Sequence, residues 1–178
     1  MRTILALGTL LLSGAAAQAQ SLTIDDYVQI RQVAQYYNLA YDNTIKQDKG
    51  ATVRRAFIPD MNFTRDGGPN WYSAQEFVDY TQNTVKPGTH HYDSNIVIVP
   101  TPEGARTFCY TIVYSVPPEG GPIKIGSGGP IYMLFEKDPV GGWGIKHRYN
   151  FTSGGTKPVE VPTFPGKPIA PVLARSEE

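Results

Sequence analysis

Ala105-Arg106-Thr107-Phe108-Cys109-Tyr110-Thr111-Ile112-Val113-Tyr114-Ser115-Val116 is the stretch on which the fold turns. In an extended chain Phe108, Tyr110, Ile112 and Tyr114 share one side, and Thr107, Cys109, Thr111 and Val113 share the other. That period of two, carried by β-branched and aromatic residues, predicts a long strand. Upstream, Thr101-Pro102-Glu103-Gly104 reads as a turn and Asn95–Val99 as a β-branched run. Downstream, Pro117–Pro122 is a turn cluster, Ile123–Glu136 a second long strand, Asp138–Gly142 another turn, and Trp143–Phe151 a last strand. Gly126, Gly128 and Gly129 mark a bulge or bend within the second of these.

The N-terminal half has a different period. Thr23-Ile24-Asp25-Asp26 can cap a helix, and Tyr27, Ile30, Ala34, Tyr37 and Tyr41 follow at spacings of three and four. This predicts one helix with a single apolar stripe, ending near Tyr41. A short helix is expected at Ala51–Phe57, ended by Pro59, and a short strand at Asp60–Thr64. Ser73-Ala74-Gln75-Glu76 has the form of a capping box, opening a third helix with Phe77 and Tyr80 inward and ending before Pro87-Gly88. Helices first and consecutive hairpin strands after give an α+β fold: a strongly curved antiparallel sheet packed against N-terminal helices around a pocket.

A chain of 178 residues holds one domain, or a domain and a tail. Lys+Arg and Asp+Glu are both 16, which excludes nucleic-acid binding by bulk basicity. A single cysteine, Cys109, excludes an internal disulfide or a thiolate-rich zinc site. Arg2, the apolar run Ile4–Leu12 and Ala17-Gln18-Ala19 have the order of a secretory signal peptide. We therefore expect a leader over residues 1–19, a domain over 20–153, a proline-rich extended tail over 154–178, and a secreted or periplasmic protein. No membrane span is expected, because the leader's apolar run is too short for one.

His90 and His91 are adjacent, so in a strand only one of them faces a pocket. Asp42 lies at the edge of the first helix's stripe, at a C-terminus where the macrodipole disfavours a negative charge. It is either a solvated helix-end carboxylate or the holder of a partner across a cavity, with Tyr37 over the same space. Three histidines without H-x-H or H-E-x-x-H spacing make a poor metal site, and we expect none. Gly126-x-Gly128-Gly129 lies in a strand pattern with no helix behind it, so it is no nucleotide loop. No Gly-x-Ser-x-Gly elbow is present. Asn62-Phe63-Thr64 and Asn150-Phe151-Thr152 are glycosylation sequons within strand patterns.

The order of these features resembles the SnoaL-like family of the nuclear-transport-factor-2-like superfamily: a helix ending in Tyr41-Asp42, a capped helix from Ser73, His91-Tyr92-Asp93-Ser94-Asn95 entering a strand, and Gly142-Trp143-Gly144-Ile145 opening the last one. The resemblance covers about Leu22–Ser153. It implies a cone-like sheet around a deep pocket, as in polyketide cyclases, scytalone dehydratase, ketosteroid isomerase and dehydrochlorinase. It also implies that Asp42 orients His91, which abstracts a proton from substrate, and that Tyr37 and Tyr41 border the pocket. Tyr110, Tyr114 and Tyr132 are further candidates for holding substrate oxygens, with packing as their other role. Arg148 resembles an arginine common in the family and is either a substrate contact or a structural residue.

Such a pair has a direct physical logic. An imidazole accepts a proton near neutrality. A carboxylate on its other nitrogen fixes the tautomer and stabilises the imidazolium that forms. The expected activity is that of a cofactor-free lyase or isomerase acting on a hydrophobic, carbonyl-containing small molecule. The chain departs from scytalone dehydratase in having no second histidine in Phe108–Tyr114, which puts dehydration through such a residue in question. The rival reading is a non-catalytic ligand-binding or dimerisation module of the same fold. The resemblance implies a homodimer or higher oligomer through the convex sheet face.

Overall fold

Thr23 caps the first helix reciprocally. Its hydroxyl accepts from the Asp26 N–H at 3.2 Å, while the Asp26 carboxylate accepts from the Thr23 N–H at 2.9 Å. The computed structural model describes residues 21–65, 68–139 and 141–150. The leader and the proline-rich tail expected from the sequence lie outside them, as does the expected last residue of the final strand, Phe151. The capped helix, α1, spans Ile24–Asn43, and its stripe buries Ile30, Ala34, Tyr37 and Ala40. It is followed by α2 (Ala51–Arg54), β1 (Phe57–Arg65), α3 (Ala74–Thr84), β2 (Thr89–Thr101), β3 (Gly104–Ser115), β4 (Lys124–Asp138) and β5 (Gly142–Asn150).

Two local expectations are corrected. The second helix stops at Arg54, and Pro59, expected to end it, lies inside β1. An edge strand tolerates proline because one row of its N–H groups has no ladder partner to lose. Ser73 does cap α3, its hydroxyl accepting from the Glu76 N–H, but the Glu76 carboxylate accepts from the N–H of Tyr72 rather than of Ser73.

The sheet has the order β1-β5-β4-β3-β2, and its consecutive hairpin strands β2 to β5 are antiparallel. β1 pairs with β5 in parallel, so the sheet is mixed rather than wholly antiparallel. Three hairpins leave β5 running opposite to β2. The connection through α3 leaves β1 opposite to β2 as well, on the far edge. Gly144 permits the close approach of β1: a Cβ there would stand 2.7 Å from Ile58 Cγ2 and 3.2 Å from the Ile58 backbone nitrogen.

Three bulges interrupt the antiparallel ladders and curve the sheet. Asn95 (φ 55°) and Ile96 on β2 both oppose Cys109, Gly126 is the extra residue on β4, and Lys146 is the extra residue on β5. The glycine expectation thus holds at Gly126. On the helix side of the curved sheet, Cys109, Ile131, Met133, Phe135 and Ile145 join Ile30, Tyr37, Phe57, Phe63 and Phe77 in one core. Among the described residues no helix is long and apolar enough to cross a membrane.

Candidate active site

Asp42 occupies the last turn of α1, where the helix dipole disfavours its charge. His91, near the start of β2, compensates twice. Its backbone N–H donates to Asp42 Oδ2 at 2.7 Å, and its ring Nδ1 lies 2.6 Å from Asp42 Oδ1. The carboxylate is only 5% exposed and the imidazole 22%. A carboxylate accepts, so Nδ1 carries the proton in the neutral ring and Nε2 is left with its lone pair. His90 turns to the opposite face and stacks on Tyr114, with centroids 5.2 Å apart.

His91 borders a cavity of about 670 Å³ between the helices and the sheet, within the usual size range of small-molecule sites. Tyr37, Tyr41, Phe63, Trp71, Phe77 and Tyr80 supply its aromatic wall. Tyr41 meets His91 edge-on at 5.1 Å and stacks on Phe77 at 5.9 Å. Burial pushes the Tyr41 phenol up to about 12 and raises that of Tyr37 further still, so both hydroxyls remain protonated donors at neutral pH. Trp71 reaches the cavity by pairing with β1, exchanging backbone hydrogen bonds with Phe63 at 2.8 and 2.9 Å.

The bulge at Lys146 decides which face of β5 meets the cavity. Strict alternation puts Ile145 and Arg148 on opposite sides, but the extra residue brings both inward, together with Asn150. Arg148 is 1% exposed, with its guanidinium carbon 4.3 Å above the Tyr37 ring and Nη1 3.2 Å from Met133 Sδ. It belongs to no ion pair among the described residues.

Three expectations fail on the same geometry. Tyr110, Tyr114 and Tyr132 do not line the cavity. The inward positions of β3 are Cys109, Thr111 and Val113, so alternation sends Tyr110 and Tyr114 to the outer face. Tyr132 is adjacent to Ile131 and Met133, which point inward, and lies on the outer face for the same reason. Tyr110 is 48% exposed and packs edge-on against Phe108. Tyr37, Tyr41, His91 and Arg148 are brought together, with Asp42 behind His91.

Sequence reasoning missed Phe63, Trp71, Arg65 and Lys86, all of which line the cavity. The tryptophan's place two residues before the α3 cap was the available signal for one of them. Cys109 is buried, and burial pushes its thiol up to about 12, so it is a packing residue rather than a nucleophile. Among the described residues no three His, Cys, Asp or Glu side chains cluster as metal ligands would.

A family model described as SnoaL-like domain matches residues 22–149. A protein of unknown function with a cystatin-like fold from Nostoc punctiforme shares 19% identity and superposes with a TM-score of 0.63, over 76% of this chain and 97% of its own. ActVI-ORFA from Streptomyces coelicolor shares 12% identity with a TM-score of 0.61, over 69% and 93%. A Catenulispora acidiphila structure in complex with S-DNPA shares 15% identity with a TM-score of 0.61, over 73% and 95%. No curated protein matches the chain.

Proposed function

Because the chain belongs to the SnoaL-like domain family, we propose that it is a cofactor-free acid–base enzyme, a lyase or isomerase acting on an aromatic or otherwise apolar carbonyl compound. The observation that supports this most is the 2.6 Å contact between Asp42 Oδ1 and His91 Nδ1 at the edge of an aromatic cavity. His91 Nε2 takes a proton from carbon next to the substrate carbonyl. The electron pair moves to the carbonyl oxygen, and Asp42 stabilises the imidazolium. Tyr37 and Tyr41, which line the same cavity, supply hydroxyl donors for the enolate oxygen. Return of the proton at another carbon gives an isomerisation, and loss of a β-substituent gives an elimination.

The inward positions of β3 carry Cys109, Thr111 and Val113 and no histidine. The leaving group of an elimination would therefore draw its proton from elsewhere, which favours proton-shift or ring-closing chemistry. The bound ligand of the Catenulispora relative supports a small-molecule occupant for this cavity as well. Export through the leader-like Met1–Gln20 is part of the same reading.

The test is a panel of polyketide-, terpenoid- and steroid-like ketones, screened for binding by thermal shift and for turnover by absorbance. Turnover of a bound ketone that His91→Gln abolishes, with affinity nearly unchanged, supports the enzyme. Uniform loss of affinity in that variant, without turnover in the parent, makes the cavity a binding site only.

A further inference from the structure

Among the described residues, the charged side chains lining the cavity have one sign: Arg65, Lys86 and Arg148 line it, and no described carboxylate does. Asp42, behind His91, is held by that residue through both of its carboxylate oxygens. Asp93, two residues further along β2, is buried, is absent from the lining and forms no ion pair with Arg148 among the described residues. Arg65 and Lys86 are exposed, which places them at the mouth, and neither is held in an ion pair among the described residues. Arg148 is buried at the wall with an Nε that has no hydrogen-bond partner. A cleft with low-dielectric aromatic walls focuses such a field on whatever enters it.

We propose that the cavity selects an aromatic substrate bearing a carboxylate, with its rings against the aromatic wall and its anionic group held at the mouth by Arg65 and Lys86. Arg148 supplies charge of the same sign from within. This rests on the cavity being the substrate site, and it names the substrate class that the dyad alone leaves open. The field serves the chemistry too, because proton abstraction beside a carbonyl creates a second negative charge in the same space.

The experiment compares 2-naphthoate with its neutral isostere 2-naphthamide by calorimetric titration, at about 50 mM salt and again at about 500 mM. The wild-type protein binds the acid at least about tenfold more tightly, as a charge-assisted contact provides. That preference shrinks at high salt and falls towards unity in Arg65→Gln/Lys86→Gln, whose positions are exposed and whose fold circular dichroism checks. Equal affinities, tighter binding of the amide, no binding of either probe, or a full preference in the double variant would each overturn the proposal. No turnover is needed, so failure here leaves the Asp42–His91 reading standing. A His91→Gln variant that keeps the acid preference, yet retains turnover, removes the dyad and not the anion site.

Discussion

Trp143 Nε1 donates to Asp26 Oδ1 at 2.8 Å, tying the first turn of α1 to the start of β5. The same oxygen meets Lys137 Nζ at 2.8 Å, and the other oxygen accepts from the N–H and hydroxyl of Thr23. One carboxylate thus joins a helix cap to two strands. The Lys137 ammonium, and then the Thr23 and Trp143 donors, hold it well below the usual carboxylate range. A lowered folded-state value adds stability that is fully present above the ordinary carboxylate pKa of about 4 and is lost as pH falls from there through the lower folded-state value. Thermal midpoints should therefore drop as pH is lowered from about 5 to about 2. Asp26→Asn should melt lower at neutral pH and show a flatter acid limb. Parallel limbs in the two proteins would contradict this role.

Phe77 packs against five aromatic rings, those of Tyr37, Tyr41, Phe57, Phe63 and Trp71. Truncation empties the centre of the wall that positions Tyr41 against His91. Phe77→Ala should cost about 3–5 kcal/mol in urea denaturation. A loss under about 1 kcal/mol would mean that the wall collapses onto the space.

The parallel pairing of β1 with β5 depends on Gly144. Gly144→Ala drives a methyl into Ile58 and the β1 backbone. We expect about 1–3 kcal/mol of destabilisation. Hydrogen exchange should also speed at the amide of Ile145, which bonds Ala56 O at 2.8 Å, before it speeds in β3.

Tyrosines on the two sides of the sheet, one on α1 against the cavity and two on the outer face of β3, predict opposite behaviour for chemically identical changes. Tyr37→Phe keeps the ring under Arg148 and removes a hydroxyl from the cavity. It should lower kcat on the order of 10²-fold, as loss of one oxyanion donor does. Tyr110→Phe and Tyr114→Phe alter the outer face and should leave kcat within about twofold, since surface changes away from a site are near neutral. Equal losses at Tyr37 and Tyr110 would return the outer tyrosines to the chemistry.

The strands and caps were legible because each depends on local chemistry. Period-two alternation marked β3, and Thr23 and Ser73 announced their helices. The direction of each face was not legible. In Phe108–Tyr114 the bulkier side, with Phe108, Tyr110, Ile112 and Tyr114, faces outward, while the smaller Cys109, Thr111 and Val113 face the helices, so apolar bulk alone points the wrong way. In β5, alternation gave the wrong partition of Ile145 and Arg148, because a bulge at Lys146 adds one residue and reverses every position after it. The parallel placement of β1 depends on a long-range pairing that no local pattern encodes. Asp42 and His91 are 49 residues apart, so no local pattern joins them, and in the sequence only the family resemblance points to their pairing.

In the proposed chemistry Asp42 fixes the His91 tautomer, leaving a bare Nε2 beside the cavity. Long-range nitrogen–proton correlation spectra of the neutral ring, at a pH of about 8.5, read this directly and need no substrate. The expected spectrum shows a protonated Nδ1 and an unprotonated Nε2, changing to a mixed or reversed pattern in Asp42→Asn. A protonated Nε2 with a bare Nδ1 in the wild-type protein would contradict it.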